Sequence, residues 1–223
     1  MLRGERVVLH PLLAKHADVL FPILSDAELW RYAPWPQSKS LEQLRARFAR
    51  LESRRSSDDR EYWLNWAVEE NASGNTLGFV QATVDDALRE ANVAYVMSRA
   101  FWGRGLATDA VHTMLVHLKN TGVRAFSATV DSRNSRSVRL LERFAFGAID
   151  AQDAQNVRYH LAASALLTIR EELRDDAGAI SDVQRAAFAG DAGDSLGRDL
   201  ESGLVVASVV AEADRKVAGS IVR

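Results

Sequence analysis

The segment FWGRGLATDA (residues 101–110) sets two glycines two positions apart, with an arginine between them, directly ahead of an apolar-periodic run. Leu106, Ala107, Ala110, Val111, Met114, Leu115 and Leu118 recur at helical spacing, and Gly122 supplies a natural stop. NVAYVMS (92–98), just before it, reads as a strand. The chain must therefore pass from strand to helix through a glycine loop. A helix N-terminus offers unpaired N–H groups and the positive end of the dipole. Glycines allow positive φ and a close approach of backbone to ligand. With the fixed charge of Arg104, the loop is either a plain tight turn or an anion site shaped for a pyrophosphate. It is not a Walker A loop, because Gly-x-x-x-x-Gly-Lys-Ser/Thr is absent, and GRGLA is too short for the dinucleotide fingerprint.

Upstream, RVVLHPL (6–12) reads as a strand and AKHADVLFPILSD (14–26) as a helix. SLEQLRARFARLESRR (40–55) is a second helix, with Ser40 as N-cap and Leu41, Leu44, Phe48 and Leu51 along one face. Its arginines read as a solvated face or as a nucleic-acid patch; the formal net charge of −2 favours the former. YWLNWAVEE (62–70) and TLGFVQATVDD (76–86) form a strand pair about an Asn/Ser/Gly turn. After the long helix come a strand at 124–131, a short helix in 134–147 with Val138, Leu141 and Phe144 inward, a polar turn at 150–156 and a strand at 157–161. Strands and helices in this order predict an α/β (α+β) fold, a mixed sheet with helices against it.

Apolar residues are 47% and charged residues 26% of the 223, enough for a conventional core. There are no cysteines, which excludes disulfides, thiolate metal sites and a cysteine nucleophile and fits a cytoplasmic protein. The charge balance predicts neither a nucleic-acid nor a membrane partner. No apolar run approaches the roughly 20 residues of a bilayer span, and the start lacks the apolar region of a signal peptide.

The region from about 165 looks like a second beginning. VLHPLLAKHADVLFPI (8–23) lies on IREELRDDAGAISDV (169–183) at an offset of 160, matching Leu9 with Ile169, His10 with Arg170, Ala17 with Ala177 and Leu20 with Ile180. AVEENASGNTLGFV (67–80) similarly resembles VAEADRKVAGSIV (210–222), each with a glycine in its second strand (Gly78, Gly219). The expectation is a domain at 1–163 and a partial β-α-α-β-β repeat at 164–223; the alternative is an unrelated appendage. A repeat of this kind would leave an exposed strand edge, to pack on the first domain, to pair with a second copy as a homodimer, or to mark a truncated tandem protein.

WGRGLA (102–107), NSRS (134–137), LLERFAFG (140–147) and the aromatic LWRYAPWP (29–36) occur in the order found in the GNAT family of acetyl-CoA-dependent N-acetyltransferases. Over residues 1–162 the chain resembles the subgroup that acetylates ribosomal-protein N-termini (the RimJ/RimL type), and its tail the front half of another such domain that binds no coenzyme. The resemblance implies the GNAT fold, acetyl-CoA as cosubstrate and no metal. It implies that the pantetheine arm pairs beside Val96 and Met97. The pyrophosphate would sit on Trp102, Gly103, Arg104, Gly105, Leu106, Ala107 and Thr108. Asn134 would bond the pantetheine and Ser137 would protonate the leaving thiolate. Read from the residues alone, Asn134 is equally an N-cap and Ser137 a plain helix residue. Tyr32 and Trp35, with Trp63 and Trp66, line an acceptor pocket or pack the core. His112 and His117 read as ordinary helix residues and His160 as sheet surface.

Three departures stand out. Trp102 replaces the usual Gln or Arg, which implies weakened coenzyme binding. Ala145 stands where the family prefers glycine. Asn92 stands where the subgroup often has glutamate, which removes the obvious general base and leaves Glu69, Glu90 or Tyr95 acting through water. At pH 7 a lysine amine, with a pKa of about 10.4, is almost wholly protonated, whereas an α-amine at about 7.7–8 is roughly a tenth neutral. A site without a base therefore favours an α-amine, of a protein N-terminus or of a small molecule. A silent module that binds a CoA ester or a partner protein is the competing expectation.

Overall fold

Eight strands of the first unit pair in the order β1-β2-β3-β4-β5-β6-β8-β7. They are β1 (Leu2–Arg3), β2 (Val7–Pro11), β3 (Glu61–Glu70), β4 (Thr76–Asp85), β5 (Glu90–Met97), β6 (Ala125–Asp131), β7 (Gly147–Ala151) and β8 (Asn156–Ala162). All neighbours are antiparallel except β5 and β6. The computed structural model describes residues 1–166 apart from 34, 35, 86, 88, 152 and 154; beyond them it describes the strands at 168–171, 208–213 and 216–222 and residues 178 and 182. The chain divides into two units, Met1–Ala163 and Ser164–Arg223.

Helices cover both faces of the large sheet because its strands alternate. On one face α1 (His16–Leu24) and α2 (Leu41–Leu51) bury Leu20, Leu24, Leu44 and Phe48 against Ala67, Phe79 and Val96. On the other, Trp66 is 1% exposed and its ring meets His117 of α3 (Leu106–Asn120) edge to face at 6.0 Å. Adjacent residues of β3 thus face opposite ways. α2 begins as its sequence predicts, with Ser40 accepting the Gln43 N–H. α3 buries Leu106, Ala110, Val111, Met114, Leu115 and Leu118, and Gly122 follows it at φ +98°.

Some details differ from the sequence reading. Residues 150 and 151 belong to β7, whose five residues are all exposed and so carry no alternation to read. α4 (Ser135–Arg143) buries Leu140 and Leu141, with Val138 and Phe144 only half-buried. Phe144 stacks on His112. Ala145 sits just past α4 at φ +61°, where a Cβ costs about 1–2 kcal/mol and a glycine would not.

Asp109, in the first turn of α3, ties the chain start to the glycine loop. Its carboxylate accepts the backbone N–H groups of Glu5, Arg6 and Val7 at 3.3, 2.8 and 3.1 Å. Arg6 in turn donates to the carbonyl of Arg104. Asp109→Ala strips the acceptor from three amides at once, and urea denaturation is expected to show a loss of about 2 kcal/mol. A change below about 0.5 kcal/mol would mean that water replaces the carboxylate without cost.

The second unit contains β9 (Thr168–Glu171), β10 (Ser208–Ala213) and β11 (Lys216–Val222), antiparallel in the order β9-β10-β11. Of the helices expected between β9 and β10 only Gly178 and Asp182 are described, both helical; the rest lies outside the described residues. In the first unit Leu9 pairs with Val68 and Val68 with Gly78, and the register shifts between Val68 and Glu69. In the second, Ile169 pairs with Ala211 and Ala211 with Gly219, and the register shifts between Ala211 and Glu212.

Candidate active site

β5 and β6 pair only over Glu90–Asn92 and Ala125–Ser127 and then part, while β5 stays paired to β4 as far as Met97. The gap, a cavity of about 90 Å³, is lined by Val93 to Val96, by Ala128 to Asp131, and by Val111 and Met114. Residues of both strand parities line it, so the gap opens toward both faces of the sheet. Beyond Asn92 the outer edge of β5 has no strand on it among the described residues, and an extended ligand can add there as a strand does.

A larger cavity of about 440 Å³ leads from this edge to the glycine loop. Gly103 and Gly105 both take φ +77°, which only glycine adopts without strain. Gly105 is the N-cap of α3 and brings no side chain to cap it, so the first-turn N–H groups meet no side-chain acceptor. Val96, Met97, Trp102, Gly103, and Gly105 to Thr108 all line the cavity. Arg104 does not: its guanidinium lies 5.3 Å from the ring centre of Phe101. The cations in the wall are Arg31 and, from α4, Arg136, Arg139 and Arg143, which the sequence reading passed over. The i, i+3, i+7 spacing of the α4 arginines was the available signal. Arg136 sits 4.3 Å over the Trp102 ring, and the Trp102 indole donates to the carbonyl of Met97 at 2.9 Å.

Asn134 and Ser137 stand where the two cavities meet. Asn134 does cap α4, its side-chain oxygen accepting the Ser137 N–H at 3.3 Å. The Tyr95 hydroxyl donates to Ser137 Oγ at 3.1 Å, across 42 residues of sequence. Burial pushes the Tyr95 pKa up, so at neutral pH it is a proton donor and not a base. Tyr32 joins the same wall, near Arg31 and Arg133; Trp35 lies outside the described residues.

Asp131, Glu90 and Glu69 supply no strong base at the gap, and Glu28, which lines the larger cavity, lies 3.7 Å from the Arg31 guanidinium. The Arg133 guanidinium holds Asp131 down to about 2. Glu90 is lowered by Ser127 and by Arg158, which it meets at 2.6 Å. Glu69 pairs with His10, on strands remote from the gap. The Asn92 side-chain amide donates to the Ser127 hydroxyl, at 3.4 Å.

An acetyltransferase (GNAT) domain is recognised over residues 6–147, and the chain belongs to that family. The "uncharacterized N-acetyltransferase p20" of Bacillus licheniformis is 24% identical over 146 residues, 65% of this chain and 81% of that protein. Among solved structures, RimL, a ribosomal L7/L12 alpha-N-protein acetyltransferase in complex with coenzyme A, superposes with TM-score 0.63 at 17% identity, over 71% of this chain and 95% of its own. Spermidine N-acetyltransferase from Vibrio cholerae, with CoA and spermine, gives 0.62 at 16% identity, over 73% and 98%. The fold is therefore the GNAT fold, an open eight-stranded, mostly antiparallel sheet flanked by four helices.

Proposed function

We propose that the protein moves the acetyl group of acetyl-CoA to a primary amine, and that the acceptor is the α-amine of a peptide. The observation that carries this reading is the free edge of β5, running from the uncapped N-terminus of α3 to Ser137. Acetyl-CoA matches it part by part. The pyrophosphate suits the α3 amides and the arginines of α4, the amides of the pantetheine arm suit the β5 edge, and the thioester would end at Asn134 and Ser137. The amine attacks the thioester carbon, the C–S bond breaks, Ser137 protonates the departing sulfur, and the proton the nitrogen sheds passes to water, which restores the hydroxyl. With Asp131 and Glu90 held low and Tyr95 held high, none of the three is a base for a lysine. An α-amine arrives partly neutral without help.

Thermal shift with acetyl-CoA, with ATP as control, is the first test. Selective stabilisation by acetyl-CoA is expected, followed by thiol release that is about a hundredfold faster with a peptide α-amine than with a lysine ε-amine. Equal rates would overturn the α-amine assignment, and no stabilisation would overturn the coenzyme site. A second reading has one observation behind it. The Trp102 indole already takes the Met97 carbonyl, so the pantetheine loses one acceptor on that edge. Binding of acetyl-CoA without turnover would make the protein a silent CoA-ester module.

We propose as well that the second unit repeats the β2-β3-β4 meander of the first. The matched pairs at an offset of 160, and the shift at an apolar–Glu step opposite a glycine in each, support a common origin.

A further inference from the structure

We propose that the acceptor is a peptide whose N-terminal residues are followed by acidic ones, recognised by an arginine-walled groove beside the reaction gap; this rests on the acetyltransferase reading above. The groove, about 510 Å³, lies between α2, the loop after it and the sheet. Arg47, Arg50 and Arg55 stand in its walls, Asn65, Gln81 and Thr83 in its floor, and no carboxylate lines it.

Two of its three arginines carry charge with no ion-pair partner among the described residues. Among the described residues neither Arg47 nor Arg50 forms an ion pair, whereas Arg45 of the same helix pairs with Asp18. Arg47 is half-buried, and burial together with the neighbouring Arg50 lowers its pKa, the mark of a cation short of a counter-charge. Arg55 gives its Nε to Asp59 and lies 4.1 Å over the Tyr62 ring, but its Nη1 meets no acceptor among the described residues. Two arginines without an ion pair, and a third with one nitrogen unmet, over a polar floor make a receiver for anions.

The floor leads to the chemistry. Asn65 pairs with Gln81 and Gln81 with Ala94; Thr83 pairs with Asn92. Ala94 lines the gap between β5 and β6, and paired residues point to the same face. That face is the one carrying α1 and α2, opposite α3. Two strand spacings of about 4.8 Å put the Asn65 end of the floor about 10 Å from Ala94. An extended peptide advances about 3.3 Å per residue, so the third or fourth residue of an acceptor reaches the arginines. The carboxylate of a free amino acid, one residue from its amine, does not. A polyamine, cationic along its length, meets the like charges of Arg47 and Arg50.

The test uses the full chain and acetyl-CoA, reading thiol release with three synthetic pentapeptides: Ser-Ala-Glu-Glu-Ala, Ser-Ala-Gln-Gln-Ala and Ser-Ala-Lys-Lys-Ala. Free glutamate and spermidine complete the panel. The expected kcat/KM for the Glu peptide exceeds that for the Gln peptide by about tenfold, and the advantage shrinks as salt is raised. In Arg47→Gln/Arg50→Gln the Glu-to-Gln ratio is expected to fall to within about twofold. Arg50→Gln alone, at an exposed position, is expected to lower it in part and serves if the double variant does not fold. Glu and Gln peptides that turn over alike, or a ratio that survives both variants, would overturn the groove while leaving acetyl transfer intact. Turnover of glutamate or spermidine with every peptide inert would do the same. Failure to bind acetyl-CoA would instead remove the underlying reading and the groove with it.

Discussion

Ser137→Ala is expected to lower kcat for thiol release about a hundredfold or more, with the acetyl-CoA thermal shift retained. The argument is one of proton supply. Expulsion of the coenzyme leaves a thiolate that needs a proton as the C–S bond breaks, or the tetrahedral adduct returns to the thioester. The serine hydroxyl stands at the junction of the two cavities, and its own oxygen is the acceptor for Tyr95 at 3.1 Å. Ser137 can thus pass its proton to sulfur and take one from Tyr95, while the proton shed by the attacking nitrogen returns to the pair through water. A serine without that second donor would have to become an alkoxide, which nothing at the site stabilises. Tyr95→Phe is accordingly expected to lower kcat by a smaller factor, about tenfold, with KM for acetyl-CoA little changed. The pH dependence has a definite sign. Burial raises the Tyr95 pKa, so its donor form persists up to and beyond the ordinary value of about 10, and no alkaline loss of activity between pH 7 and 9 originates there. A Ser137→Ala enzyme within about threefold of wild type would reduce Ser137 to a helix residue and remove Tyr95 from the mechanism with it.

The sequence discloses local rules well and partners poorly. The stripe of α3 and the N-cap at Ser40 were legible because each depends on residues within a turn or two of one another. The positive φ of Gly103 and Gly105 was legible because only glycine permits it cheaply. The parting of β5 from β6 was not, since it depends on which strand lies alongside, and no periodicity records that. Charge was visible and its direction was not. Arg104 stood in the motif yet turns onto Phe101, while Arg136, Arg139 and Arg143 face the cavity from a helix whose sequence offers several arginines. The tryptophans show the same limit. Trp66 belongs to the core with His117, whereas Trp63, of the opposite parity, lines the arginine groove. Period-2 alternation separates the two tryptophans but does not say which face is core. The bond from Tyr95 to Ser137 has no sequence signature, because the two stand 42 positions apart with α3 and β6 between them.

Gly78→Ala is expected to be the most damaging single change in the β3–β4 hairpin, costing more than about 3 kcal/mol and abolishing the acetyl-CoA shift. A Cβ on Gly78 would stand 2.0 Å from the carbonyl oxygen of Val96 and 2.9 Å from Cα of Met97. Both obstacles are backbone, so no side-chain rotation relieves the contact. Gly78 pairs with Met97, and the added atom can be accommodated only by driving the end of β5 away from β4. That end carries the free edge on which the coenzyme arm is proposed to lie, together with the Met97 carbonyl that anchors Trp102. Stability and binding should therefore fall together. Gly74, in the same hairpin, makes the comparison sharp. It also has positive φ, +69°, but a Cβ there meets nothing within 4 Å. Gly74→Ala is expected to cost only about 1 kcal/mol and to leave the acetyl-CoA shift in place. If urea denaturation ranks the two variants equally, the close approach of β4 to β5 has slack, and the edge of β5 is not held by Gly78. If only Gly78→Ala loses the shift, the glycine is what lets β4 lie close enough to fix β5 with its outer edge open toward the cleft.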